Sequence, residues 1–179
     1  MNGVHLHLLL NHLPVIGSLF AILMLVWALI RKNTEIARAA LGLFVIAAIT
    51  GLAAYFTGEP AEDAAESIAG VSRQAIHSHE ESAELATVLL SGYGIFALGA
   101  LFYLRKRAAA FPRKLLSLAL VLALVPAGAM AWTANQGGKI RHPEITSAGA
   151  PMAANGAGTD VARHDDGEGA PERGSARQR

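Results

Sequence analysis

The chain has 179 residues, 53% of them hydrophobic and only 16% charged. By length that is one ordinary domain, but the composition is not that of an ordinary soluble one. Its 15 basic and 14 acidic side chains nearly cancel, so net charge points to no nucleic-acid partner. Cysteine is absent, which excludes disulfides, thiolate metal sites, Fe–S clusters, thiol nucleophiles and CxxCH haem attachment. Seven histidines remain, the unusual part of the inventory.

The apolar residues fall in four blocks. Leu13 to Ile30 carries no charge, and Leu8 to Leu10 extends it toward the N-terminus; Ile36 to Phe56 is broken only by Arg38; Leu85 to Leu104 and Leu115 to Trp132 are uncharged. Each block runs about 18–21 residues, the length a helix needs to cross ~30 Å of hydrocarbon. A soluble bundle is disfavoured, because so short a chain cannot bury four such spans. The N-terminal MNGVHLHLLLNHLP lacks the basic start of a cleaved signal peptide. These features predict an all-α, four-helix integral membrane bundle over residues 1–147, with helices at about 8–30, 36–56, 80–104 and 114–133.

Basic residues set the expected orientation. Arg31, Lys32 and Arg38 flank the first tight loop, and Arg105, Lys106, Arg107, Arg113 and Lys114 flank the third connection. The opposite side offers only Arg73, Lys139 and Arg141 near the membrane. The positive-inside rule therefore puts both tight loops in the cytoplasm and both termini outside, for a bacterial inner-membrane protein.

The long middle connection, Thr57 to Glu84, holds half of the chain's acids. Its TGEP start predicts a helix stop, with Gly58 as a left-handed cap, followed by a short surface helix begun at Pro60 and ended by Gly70. From residue 148 to 179 the chain is rich in Gly, Ala and polar residues, and it predicts a disordered outer tail that includes His164.

On this topology six histidines gather at one membrane face: His5, His7, His12, His77, His79 and His142. Ionisable groups at the edge of a bundle tend to face its interior or an aqueous cavity. His5 and His12 are seven apart and share a face, whereas His7 points elsewhere. His12 shares its stripe with Leu8, Leu9, Val15, Ile16 and Leu19, while His79 aligns with the small Ala83 and Ala86. His12 and His79 are the expected inward ligands, with His142 as a third. Glu59, Glu62, Glu80, Glu84 and Arg141 support them, and His5, His7 and His77 have weaker claims.

Two inward imidazoles from different helices suit the axial positions of haem b. With glutamates completing the shell they also suit Zn²⁺ or Cu²⁺. A plainer alternative is that they hydrogen-bond to backbone or glutamate and hold no ligand. HEESA at His79 fails the HExxH zinc pattern, because Ala83 occupies the second ligand position. After the fourth span, TANQGGKIRHPEI (133–145) predicts a helix stop at its glycines and a non-helical strap. On that strap Arg141 would pair with the acidic connection or with haem propionates.

The segments LLLNHLPVIG (8–17), YFTGEPAED (55–63), HSHEESAE (77–84) and TANQGGKIRHPEI (133–145) resemble a family of small four-helix bacterial integral membrane proteins. The resemblance covers about residues 1–145, and the GGKIRHPEI segment is its most specific part. The family pattern matches His12, Glu59, Glu62, His79, Glu80, Glu81, Arg141, His142 and Glu144, and does not call for His5, His7 or His77. The family is distantly similar to other four-helix membrane proteins with histidines in the first and third helices, which implies haem b. Three functions follow as expectations. One is electron transfer with quinol or a periplasmic redox protein. Another is divalent-metal binding or sensing. The third is a structural role in an oligomer or larger complex. None of them requires the chain to be an enzyme on its own.

Overall fold

The computed structural model describes residues 3–68, 71–105 and 111–142. Six helices account for nearly all of them: α1 (Gly3–Leu10), α2 (His12–Arg31), α3 (Thr34–Phe56), α4 (Gly58–Glu66), α5 (Arg73–Arg105) and α6 (Arg113–Arg141). There is no strand among the described residues. The stretches Gly3–Arg31, Thr34–Phe56, Arg73–Arg105 and Arg113–Arg141 are long and apolar enough to cross a membrane. The chain is therefore a helical membrane protein. The expected tail over residues 148–179 lies outside the described residues.

The helix boundaries follow from local chemistry. Pro14 has no N–H to offer the Leu10 carbonyl, and the first span divides at Asn11 into α1 and α2. Lys32 closes α2 in the left-handed region (φ 52°), and Asn33 caps α3 by accepting from the N–H groups of Glu35 and Ile36. A two-residue turn of this kind makes α2 and α3 antiparallel neighbours. At the same end, the Phe111 N–H donates to Thr34 Oγ1 at 3.3 Å and Arg38 reaches the Leu104 carbonyl at 3.4 Å.

One expected break is present without its expected cap, since α3 does stop at Phe56, and another is absent. Gly58 opens α4 with no left-handed conformation, and α6 runs straight through Gly137 and Gly138 to Arg141. The segment read as a strap is helix up to Arg141. Helix is the default for a backbone that keeps its i→i−4 bonds, and a single glycine costs it only about 1 kcal/mol. The residue before Pro143 is the first that is sterically barred from continuing. Likewise α5 begins at Arg73, ahead of the apolar block, because Ile76 is buried and anchors the extra turns.

Packing is inverted relative to a soluble protein. More than half of the buried apolar residues are alanine, whereas Leu19, Phe20, Leu23, Ile46, Ile49, Val88, Ile95, Val121 and Val125 are exposed. In lipid, large apolar side chains lose nothing by facing outward, and small ones inside let backbones approach closely. Among the long helices α2 packs on α3 and α6, α3 on α5, and α5 on α6, while α1 packs on α4 and α3. Helices α3 and α5 approach closely, and a Cβ on Gly94 would lie 2.5 Å from that of Ala48.

Candidate functional site: a histidine pair at one end of the bundle

The inward stripe of α1 and α2 reads His7, Asn11, Pro14, Ser18, Ala21, Leu25, Ala28. These positions alternate steps of four and three, and they are buried from Pro14 onward. Its polar end packs on α3 and α4, through the Ala54 carbonyl and Gly58 beside His7, while at the same end of the bundle His79 and Ser82 of α5 bond with Thr133 of α6. The charged turns of α5 before Leu85 stand beyond the apolar span, because 33 residues make a helix of about 50 Å against ~30 Å of hydrocarbon.

Two histidines in this end are held alike. His7 Nδ1 lies 2.9 Å from the Ala54 carbonyl oxygen, and His79 Nδ1 lies 3.1 Å from that of Thr133. A carbonyl oxygen only accepts, so each Nδ1 carries the proton and donates it. Each Nε2 of the neutral ring is then left with its lone pair. Both rings are half-buried, and they lie within electrostatic reach of each other.

Glycines seat the rings. A Cβ on Gly137 would stand 3.1 Å from His79 Cε1 and 3.3 Å from its Nδ1, with Nε2 farther off at 3.8 Å. On Gly58 the Cβ would stand 3.8 and 3.9 Å from Cε1 and Nδ1 of His7. In both cases the Cε1–Nδ1 edge faces a neighbouring helix backbone. Thr133 completes the α5–α6 connection by donating its hydroxyl to the Ser82 carbonyl at 2.8 Å. One turn from His7, the Asn11 Oδ1 atom is buried with no hydrogen-bond partner. It is a built-in acceptor beside the pair.

The other histidines are placed differently. His12, expected from the sequence to face inward, is exposed and bonds across the α1–α2 break to the Leu8 carbonyl at 3.3 Å. Its stripe of large apolar residues faces outward with it, for the inversion described above. His5 is exposed, and so is His142, which follows the end of α6. His77 is exposed and lies 3.7 Å from Glu80 and 3.3 Å from Glu81.

Among the expected supporting residues, Glu59, Glu80, Glu84 and Arg141 are exposed, and Glu62 is partly buried. Its carboxyl is pushed above the usual carboxylate range by desolvation, then by Glu80, Glu66, Asp63 and Glu59 around it. Among the described residues, no three His, Asp or Glu side chains come together as a metal-binding group. Among the described residues the expected set of His12, His79 and His142 does not come together as a metal-binding group; His7 and His79 are two histidines whose rings bond to the backbone of a neighbouring helix.

In the sequence His7 has a weaker claim because it points away from the face that His5 and His12 share, and because the family pattern does not call for it. The signal that finds it is the small and polar stripe: from Pro14 and Ser18, steps of three and four lead back through Asn11 to His7. Comparison of the chain with protein-family models, with curated proteins and with solved structures gave no match.

Proposed function

We propose that this protein is an electron carrier of the bacterial inner membrane, and that His7 and His79 would hold haem b at the outer end of its helices. The observation that carries this reading is the matched pair. Two imidazoles on different helices each donate Nδ1–H to a backbone carbonyl and keep an Nε2 lone pair. Such an outer hydrogen bond sets the tautomer and orientation of a ligating histidine. The glycine seats and the buried Asn11 acceptor fit a site built around these rings.

The donor set favours haem over a lone divalent ion. A Zn²⁺ or Cu²⁺ site needs three or four protein ligands, and no such group occurs among the described residues. Haem iron takes four ligands from its macrocycle and asks the protein for two. When bound, it supplies a one-electron couple. The chain's part is to fix the two imidazoles and to keep the iron-facing nitrogens unprotonated. The family resemblance and the outward placement of this end by the positive-inside rule support the same reading, with quinol or a periplasmic redox protein as the exchange partner.

Absorption spectroscopy tests it. Protein purified in detergent from haem-replete cells should show a Soret band and, after dithionite, a sharpened α band. His7→Ala and His79→Ala should each lose the reduced six-coordinate spectrum, while His12→Ala keeps it. A colourless wild-type preparation would sink the proposal and leave the two histidines as structural links between helices. Loss in His12→Ala with retention in His7→Ala would move the ligand to His12.

A further inference from the structure

We propose that the groove between α5 and α6, behind the His79 turn, binds the headgroup of a quinone-type lipid. This inference rests on the electron-transfer reading for its purpose, though not for its geometry. The groove has a volume of about 550 Å³ and is lined by Ser78, Glu81, Ser82, Leu85, Ala129, Trp132 and Gln136.

Its lining changes character along the helices. Ser78 and Glu81 on α5 and Gln136 on α6 lie toward the charged end, and Leu85 and Ala129 lie one to two turns deeper, where the apolar span begins. An amphiphile with a polar head and an apolar tail matches that order. Trp132, 59% exposed, presents a flat aromatic wall, suited to a planar ring.

Hydrogen-bonding capacity fits the two redox forms of a quinone. Gln136 Oε1 accepts from Lys139 Nζ at 2.7 Å, which leaves its amide N–H groups to donate to a quinone carbonyl. The Glu81 carboxylate, 3.3 Å from His77 Nε2, accepts from a quinol hydroxyl. A phosphate headgroup fits poorly, since Glu81 lines the groove and the Lys139 ammonium is held by Gln136 and by the Trp132 ring 5.7 Å away. The head should therefore be neutral. The groove also adjoins the proposed ligand, because Ser82 donates its hydroxyl to the His79 carbonyl at 2.8 Å.

The chain has two tryptophans, so Trp27→Phe leaves Trp132 as the sole tryptophan, beside the groove and excited selectively at the red edge. Titrating that variant with decyl-benzoquinone in detergent should give saturable quenching. In Trp132→Phe, quenching of Trp27 should stay linear with concentration. Filling the groove by Ala129→Leu, or removing the donor by Gln136→Leu, should raise the half-saturating concentration by about tenfold or more, with far-UV dichroism unchanged. Decanol should not compete. Linear quenching of Trp132, or equal competition by decanol, overturns the proposal. The Soret band, read on the same samples, separates the two readings. Haem without saturable quenching removes the quinone site alone, and saturable quenching without haem removes the haem carrier alone.

Discussion

At the scale of single residues, two adjacent glycines do opposite things. A methyl group on Gly137 would meet the His79 ring at 3.1 Å, whereas one on Gly138 would meet nothing within 4 Å. Gly138→Ala should therefore stabilise the protein by up to about 1 kcal/mol, the usual gain in a helix interior. Gly137→Ala should forgo that gain and displace the ring from the Thr133 carbonyl, at a cost of about 1 kcal/mol or more for the hydrogen bond. Thermal unfolding in detergent would separate the two variants, and only Gly137→Ala should lower haem retention. Glu62 carries a second prediction. Its folded pKa lies above the ordinary carboxylate value, so the protonated form favours the folded state. That contribution is complete at acid pH, below the unfolded value, and is lost as pH rises through the folded one. Hydrogen exchange in α4 should quicken over that window beyond its intrinsic pH dependence, and Glu62→Gln should flatten the excess. An unchanged profile in the variant would show that the surrounding acids are screened by solvent.

At the scale of elements, the α3–α5 contact decides how close the bundle can draw together. The buried positions of α3 are mostly alanine with Gly51, and α5 answers with Ala86, Leu90, Gly94 and Ala97. Because the Gly94 contact is backbone-tight, Gly94→Ala must push the helices apart, at about 1–3 kcal/mol for overpacking. Gly92→Ala, on the same helix with open space around it, should show no loss. Denaturant unfolding in mixed micelles reads both, and equal stabilities would contradict the close packing. The pairing also bears on the site, since α3 supplies the carbonyl for His7 and α5 carries His79. Separating these helices should weaken haem retention as well as stability.

At the scale of the whole molecule, almost zero net charge conceals strong polarity. Bases cluster at one end of the helices, while the acids of α4 and the start of α5 gather with the histidines at the other. Trp27, with Arg31 over its ring, and Trp132, with Lys139 over its ring, mark opposite ends in the way interfacial anchors do. A phosphatase–galactosidase reporter fused after Arg107 should behave as cytoplasmic, and one fused after Ile145 as external. The reverse pattern would place the histidine end in the cytoplasm and exclude a periplasmic redox partner.

The sequence alone determined that four helices are long and apolar enough to span a membrane, since a helix satisfies its own backbone in lipid and each block carries almost no charge. It also showed His79 on a small-residue face and predicted the short helix after Thr57. It did not reveal which stripe of the first span faces inward. A stripe of Leu and Ile marks the core in water, but in a bilayer the same stripe meets lipid at no cost. Only tertiary packing, through the Ala54 carbonyl and the seat at Gly58, turned His7 rather than His12 toward a neighbouring helix. The same holds for Gly137: a helix breaker by local propensity, it stays helical because the space left by its missing side chain is where the His79 ring lies.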